Sequence, residues 1–115
     1  MDTAENGSTP GEKSDARDKI GLSVQDLTPQ ARQYYRIDPS VAGVLVTGVK
    51  EVSPANDAGI ADGDVITEVN GRRVTGADEL GKTVKGAHNG DYLRFYIRRF
   101  GRRPVSFFAI VKVGE

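Results

Sequence analysis

Residues 53–71 read SPANDAGIADGDVITEVNG, and the alternation of turn chemistry with an apolar run in this stretch decides the architecture. Ser53-Pro54, Gly59 and Asp62-Gly63 are turn formers for different reasons: proline presets φ, glycine takes positive φ, and serine and aspartate bond nearby backbone. Val65–Val69 is then a β-branched run of strand length. Asn70-Gly71 is a strong tight-turn signal, so the chain must double back into a brief strand around Arg73 and Val74.

The neighbouring segments extend this pattern. Upstream, AGVLVTGVKEV (42–52) is β-branched and punctuated by glycine, as expected of a buried strand. IGLSVQDL (20–27) alternates, with Leu22 and Val24 sharing a face. Between them, Thr28 as cap and Pro29 at the first helical position predict a short helix ending near Tyr35, and Asp38-Pro39-Ser40 a turn. Downstream, residues 92–113 make a long hairpin turning at Phe100-Gly101. Leu93, Phe95 and Ile97 share one face of its first strand, and Val105, Phe107, Ala109, Val111 and Val113 one face of its second. The sum is α+β and mainly β, a partly open antiparallel barrel or sandwich of five or six strands with two helices.

GADELGKT (76–83) fits the phosphate-loop pattern of nucleotide-hydrolysing enzymes, but its context does not. Such a loop leaves a buried strand and places Lys and Thr at the start of a substantial helix. Here the polar NGRRVT precedes it, and only Val84 and Lys85 follow before Gly86. Ala77–Lys85 reads instead as a helix in its own right. At about 100° per residue, Ala77, Leu80, Gly81 and Val84 share a face, while Asp78, Glu79 and Lys82 point away. Gly81 costs a helix on the order of 1 kcal/mol relative to alanine, which suggests that something approaches closely on that side. Ala77 and Gly81, one turn apart, make a shallow notch.

Composition narrows the chemistry. The 115 residues are one domain's worth, with 16 basic and 16 acidic side chains and so no global field to draw the chain to nucleic acid or an anionic surface. The absence of cysteine removes disulfides and thiolate chemistry while leaving the redox compartment open. No apolar run approaches bilayer length, so membrane insertion is not expected. Asp57, Asp62, Asp64 and Glu68 miss the alternation of a calcium loop. His88, in GAHNGD (86–91), has no serine or acid constellation around it and reads as an exposed loop residue. Neither a catalytic residue nor a metal or other cofactor is expected. Arg98, Arg99, Arg102 and Arg103 at the hairpin tip, with Tyr92, Tyr96 and Phe108 nearby, carry the one nucleic-acid argument; arginines on a solvated hairpin end are the commoner meaning. Residues 1–18 hold no large apolar side chain beyond Met1 and read as a disordered tail or interdomain linker, with the domain at 19–115 and excised from a longer protein.

Ser-Pro-Ala, Ala-Gly, Gly-Asp-x-Ile and Asn-Gly, at the spacing they have in residues 53–71, resemble a PDZ domain. The element order is similar to the circularly permuted bacterial form of the HtrA/Do serine proteases, with Lys19-Ile20-Gly21-Leu22 as the opening motif. The 27–37 segment, the ADEL helix and the arginine-rich hairpin resemble the second, C-terminal PDZ of that family. The resemblance implies a noncatalytic module that takes a partner's C-terminal end as an added strand. The amides around Ile20, Gly21 and Leu22 would hold the terminal carboxylate as an anion nest, with charge from Lys19 or Arg17. Leu22, Val24, Ala77, Leu80, Gly81 and Val84 would line the side-chain groove. Ala77 stands where many PDZ helices carry a histidine that selects a hydroxyl, so apolar ends are expected. The resemblance further implies contacts with other domains of a parent protease, a periplasmic or envelope location and a monomeric isolated domain. The competing reading is a structural or oligomerisation module whose groove stays empty.

Overall fold

The computed structural model describes residues 19–113; the tail expected at 1–18 lies outside them. Six strands and three helices follow in the order β1 (Leu22–Asp26), α1 (Pro29–Tyr35), β2 (Val44–Val49), α2 (Pro54–Asp57), β3 (Val65–Val69), β4 (Arg72–Arg73), α3 (Ala77–Lys85), β5 (Tyr92–Arg99) and β6 (Val105–Lys112). The sheet is antiparallel in the order β1-β2-β3-β5-β6, and β4 pairs with β3 beyond the end of β2. It is not closed, so β1 and β6 are its outer strands.

Two helices were expected and three are present. α2 is the addition, and its start repeats the chemistry of α1. Thr28 Oγ1 accepts from Ala31 N at 3.1 Å ahead of Pro29, and Ser53 Oγ accepts from Asn56 N at 3.1 Å ahead of Pro54. The serine-proline pair is thus a cap and first helical position rather than a plain turn. The Asn70-Gly71 signal is realised directly: both take positive φ, 54° and 82°, as a two-residue hairpin requires.

One face of the sheet carries the main core. Leu22 and Val24, Val44 and Val46, Ile66 and Val69, Leu93, Phe95 and Ile97, and Ala109, Val111 and Val113 pack with Ala77, Leu80 and Val84 of α3. The expected alternation holds along β5, while in β6 the inward face fades toward the turn, with Phe107 half-buried and Val105 exposed. On the opposite face α1 seals a smaller cluster of Ala31, Ile37, Val41, Leu45 and Val65. β2 and β3 are therefore buried on both sides where they cross beneath α1, and this is why Val44-Leu45-Val46 and Val65-Ile66 are continuous apolar runs.

Asp64, 1% exposed, ties the loop before β3 to the end of β5. Arg99 donates to both its oxygens, at 2.7 and 2.8 Å, and to the Gly59 carbonyl at 2.8 Å, while Ala61 N donates to Oδ2 at 2.9 Å. The hydrogen bond to Asp64 raises the Arg99 pKa against the opposing pull of burial. These contacts take Asp64 out of any calcium site. Asp64→Ala is expected to cost about 2 kcal/mol, the scale of charge-assisted hydrogen bonds lost at a half-open partner, and to lower Tm by about 8–16 °C for a domain of this size. A calorimetric Tm within a degree or two of the parent would show that the pair contributes little.

A groove between the first strand and the third helix

β1 pairs only with β2, from Leu22 opposite Val49 to Asp26 opposite Val44, so its other edge belongs to no ladder of the described residues. α3 runs beside that edge in the opposite direction, and two polar contacts between distant parts of the chain hold it there. At one end Asp26 Oδ1 accepts from Ala77 N at 2.7 Å. At the other Lys19 Nζ donates to the carbonyls of Lys85 and Ala87 at 2.9 and 3.0 Å. Each contact answers a deficiency of the helix. Its N-cap is Gly76, which has no side chain to offer, and its last carbonyls lack intrahelical donors. A carboxylate at the N-terminus and an ammonium at the C-terminus also complement the helix dipole, as do Asp78 and Glu79 in the first turn and Lys82 and Lys85 in the last.

The phosphate-loop pattern is absorbed by this arrangement. Ala77 N, an amide that an anion at the helix start would need, is occupied by Asp26, Lys82 is exposed on the outer side, and Thr83 Oγ1 donates to Glu79 O at 3.1 Å. His88 is solvent-exposed with its backbone N–H bonded to Asp91 Oδ2 at 2.9 Å. Among the described residues no group of three or more metal-ligating side chains comes together, and no helix is long and apolar enough to cross a membrane.

The turn into β1 is built on Gly21. Lys19 and Ile20 are helical, so the strand begins at Leu22 rather than at Ile20, and Gly21 makes the change of direction at φ 78°. A Cβ there would lie 2.3 Å from Ser53 Cβ, so glycine is required for space as well as for conformation. Its carbonyl accepts from Lys50 N at 2.9 Å, and Ser53 Oγ donates to Lys50 O at 2.9 Å. The first residues of the 53–71 stretch thereby fix the opening motif.

Of the residues singled out from sequence, Leu22, Val24, Ala77, Leu80 and Val84 meet in one cluster at 0–3% exposure, and Gly81 lies on the same buried helix face. Ile20 is fully buried among them. The Lys19 ammonium is directed at the helix end, and Arg17 lies outside the described residues. Asp26 was not singled out. Its signal was indirect: a helix beginning at Gly76-Ala77 without a capping side chain must find an acceptor elsewhere.

Comparison with known proteins places this geometry. The model of the PDZ domain family matches residues 19–105. The chain belongs to the PDZ family. A "Probable periplasmic serine endoprotease DegP-like" of Chlamydia pneumoniae is 34% identical over 89 residues, 70% of this chain and 18% of that protein. A protein of the same description from Pseudomonas putida is 31% identical over 88 residues, 76% of this chain and again 18% of the relative. The chain thus spans less than a fifth of the length of these relatives. Among solved structures, the HtrA3 PDZ domain bound to a phage-derived ligand (FGRWV) superposes with TM-score 0.61 at 30% identity, over 83% of this chain and 86% of that one. The HtrA-type protease AlgW with decapeptide shares the fold at TM-score 0.73, over 83% of this chain and 28% of that one. A PDZ domain is a noncatalytic module, and its relatives here are HtrA-type serine proteases and their PDZ domains.

Lys19→Met keeps the length of the side chain and removes the donor. It is expected to destabilise the domain by about 1 kcal/mol and to speed amide hydrogen exchange selectively in the last turn of α3. Uniform exchange changes throughout the domain would show that Lys19 does not anchor that helix end.

Proposed function

We propose that this domain captures the C-terminal, apolar ends of protein chains by strand addition to β1, and that in a parent HtrA-type serine protease it supplies or regulates substrate. The observation that carries the reading is the unladdered edge of β1 with α3 held antiparallel beside it. An extended peptide entering there gains backbone hydrogen bonds from the strand and contact with the helix. Its carboxylate would meet the N–H groups of the Ile20-Gly21-Leu22 turn, a local anion nest. Because the Lys19 ammonium caps α3, the backbone carries that recognition and Lys19 acts through the position of the helix. The terminal side chain would enter between Leu22 and Val24 on one wall and Ala77, Leu80, Gly81 and Val84 on the other. Ala77 and Gly81 are the smallest residues of that wall and offer no group to bond a hydroxyl, which favours apolar ends. The HtrA3 relative's ligand, ending in valine, agrees with that preference. The periplasmic descriptions of the DegP-like relatives support an envelope location.

A few net hydrogen bonds at about 0.5–1.5 kcal/mol each and one buried terminal side chain at about 1.5–3 kcal/mol are offset by the cost of ordering the peptide. Affinity near micromolar, about −8 kcal/mol, is the expectation. A two-dimensional amide NMR titration with peptides ending in Val, Leu or Phe, each with a free and an amidated terminus, tests the reading. Shifts at Ile20–Val24 and Ala77–Lys85 that weaken at least tenfold on amidation are expected. Equal affinity for the amide would remove the carboxylate nest, and silence at both elements would favour a structural module. Gly81→Ala should weaken peptides ending in Phe more than those ending in Val; an equal effect on both would place the terminal side chain elsewhere.

A further inference from the structure

The outward faces of β5 and β6 stay open to solvent on the side of the sheet that α1 covers only over β2 and β3. Val65 pairs with Arg98, which pairs with Ser106; Tyr96 pairs with Phe108, Arg94 with Ile110 and Tyr92 with Lys112. Directly paired residues project to the same side, so these eight side chains of β5 and β6 continue the face that carries Val65 and the small core under α1. Tyr92 is 63% exposed, Phe108 59% and Ile110 52%, a concentration of large apolar surface unusual for a face with nothing to cover. At its lower end lies a cleft of about 600 Å³ lined by Val52, Pro54, Ala58, Tyr92, Ile110 and Lys112, with Val52 94% exposed.

Charge on this face is mostly positive. The ionisable side chains that β5 and β6 turn outward are Arg94, Arg98 and Lys112, and Arg102 and Arg103 follow at the hairpin tip. Three carboxylates lie against it: Glu68 on β3, which pairs with Tyr96 and so shares the face, Asp38, whose carboxyl feels the charge of Arg98, and Asp57 at the rim of the cleft. In a chain whose formal charges balance, these five basic side chains against three carboxylates leave a local positive excess between exposed apolar groups, least offset at Arg94 and Lys112 on the strands themselves.

We infer that the β5–β6 face is a second docking surface, separate from the β1–α3 groove, and that its partner is an acidic, extended protein segment carrying large apolar side chains. Charge complementarity sets the sign of the partner, and the cleft between Val52 and Ile110 takes one of its apolar side chains. The run from Tyr92 to Arg98 is about 20 Å long at the rise of an extended strand, which suits six to eight residues. The aromatic rings argue against nucleic acid. The Tyr96 and Phe108 rings are packed on each other at 4.8 Å, and the Arg94 guanidinium stands 5.4 Å from the centre of Phe108. Their faces are therefore engaged rather than presented to a stack of bases. The aliphatic walls of the cleft suit a leucine or phenylalanine side chain.

The test is an amide NMR titration of the described domain with an acetylated, C-terminally amidated nonapeptide alternating Glu with Leu and Phe. The blocked ends keep it out of the carboxylate nest, so failure here is distinct from failure of the groove reading. Saturable shifts confined to Tyr92–Arg98, Phe108–Lys112 and Val52 are expected, with affinity falling at least tenfold between 50 and 300 mM salt. They should vanish for the same peptide with Lys in place of Glu, and in the double variant Arg94→Glu, Lys112→Glu, whose two exposed sites leave the fold intact by its amide spectrum. No shifts at millimolar acidic peptide, or equal shifts with the Lys peptide, would overturn the proposal. Tighter binding of a twelve-residue oligothymidylate at this face would replace it with nucleic acid. A dimer in sedimentation that Phe108→Ser dissolves would replace it with a second copy of the chain.

Discussion

The placement of α3 against β1 depends on two polar contacts that neither segment makes within itself. A nine-residue helix is too short to persist on propensity alone, and this one carries Gly76 at its cap and Gly81 in its interior. Burial of Ala77, Leu80 and Val84 holds it down, but apolar packing is nondirectional and would tolerate sliding. Asp26 at one end and Lys19 at the other fix the direction and the axial position. Both come from the segment that contains β1 itself. Helix and strand are thus held as a pair, with the two ends of α3 in register with the two ends of the β1 segment.

A second constraint acts on the opening turn. Gly21 can sit under Ser53 only because it lacks a side chain, and Ser53 is in turn oriented as the cap of α2 and bonded to Lys50. The 53–71 stretch therefore acts beyond its own turns. Its first residue shapes the start of β1, Asp64 anchors the end of β5 through Arg99, and Asn70-Gly71 closes the β3–β4 hairpin. One segment touches the groove, the far end of the long hairpin and the centre of the sheet, which explains how much of the fold its spacing conveys.

Much of the architecture was legible because periodicity and turn chemistry are local properties. The strands, the α1 cap at Thr28, the inward face of α3 and the Asn-Gly turn each depend on residues within a few positions of one another. α2 escaped because a serine-proline pair starts either a turn or a helix, and a helix of four residues has no periodicity to tell them apart. The clamps escaped because they join residues 51 and 66 or more positions apart; sequence supplied the deficiency at Gly76 but not the residue that answers it. The family resemblance offered Lys19 or Arg17 as charge for a carboxylate; the acceptors that Lys19 meets in the free domain are helix carbonyls that only the packed structure brings near.

The same sheet is finished differently at its two outer strands, and the difference follows from what each is next to. β1 leaves its edge out of the ladder, but it is short, and a helix limits approach to one lane. β6 is longer, with exposed Phe108 and Ile110 on its outward face, and the usual protection of such a strand is charge. Here Arg94, Arg98 and Lys112 of the two strands supply that charge, and all three are basic. A strip that repels cationic chains, and that a neutral apolar chain could cover only by desolvating unpaired charges, is protected against indiscriminate aggregation, and for the same reason it discriminates in favour of acidic partners. Protection of the strand and recognition by the face are then one electrostatic property.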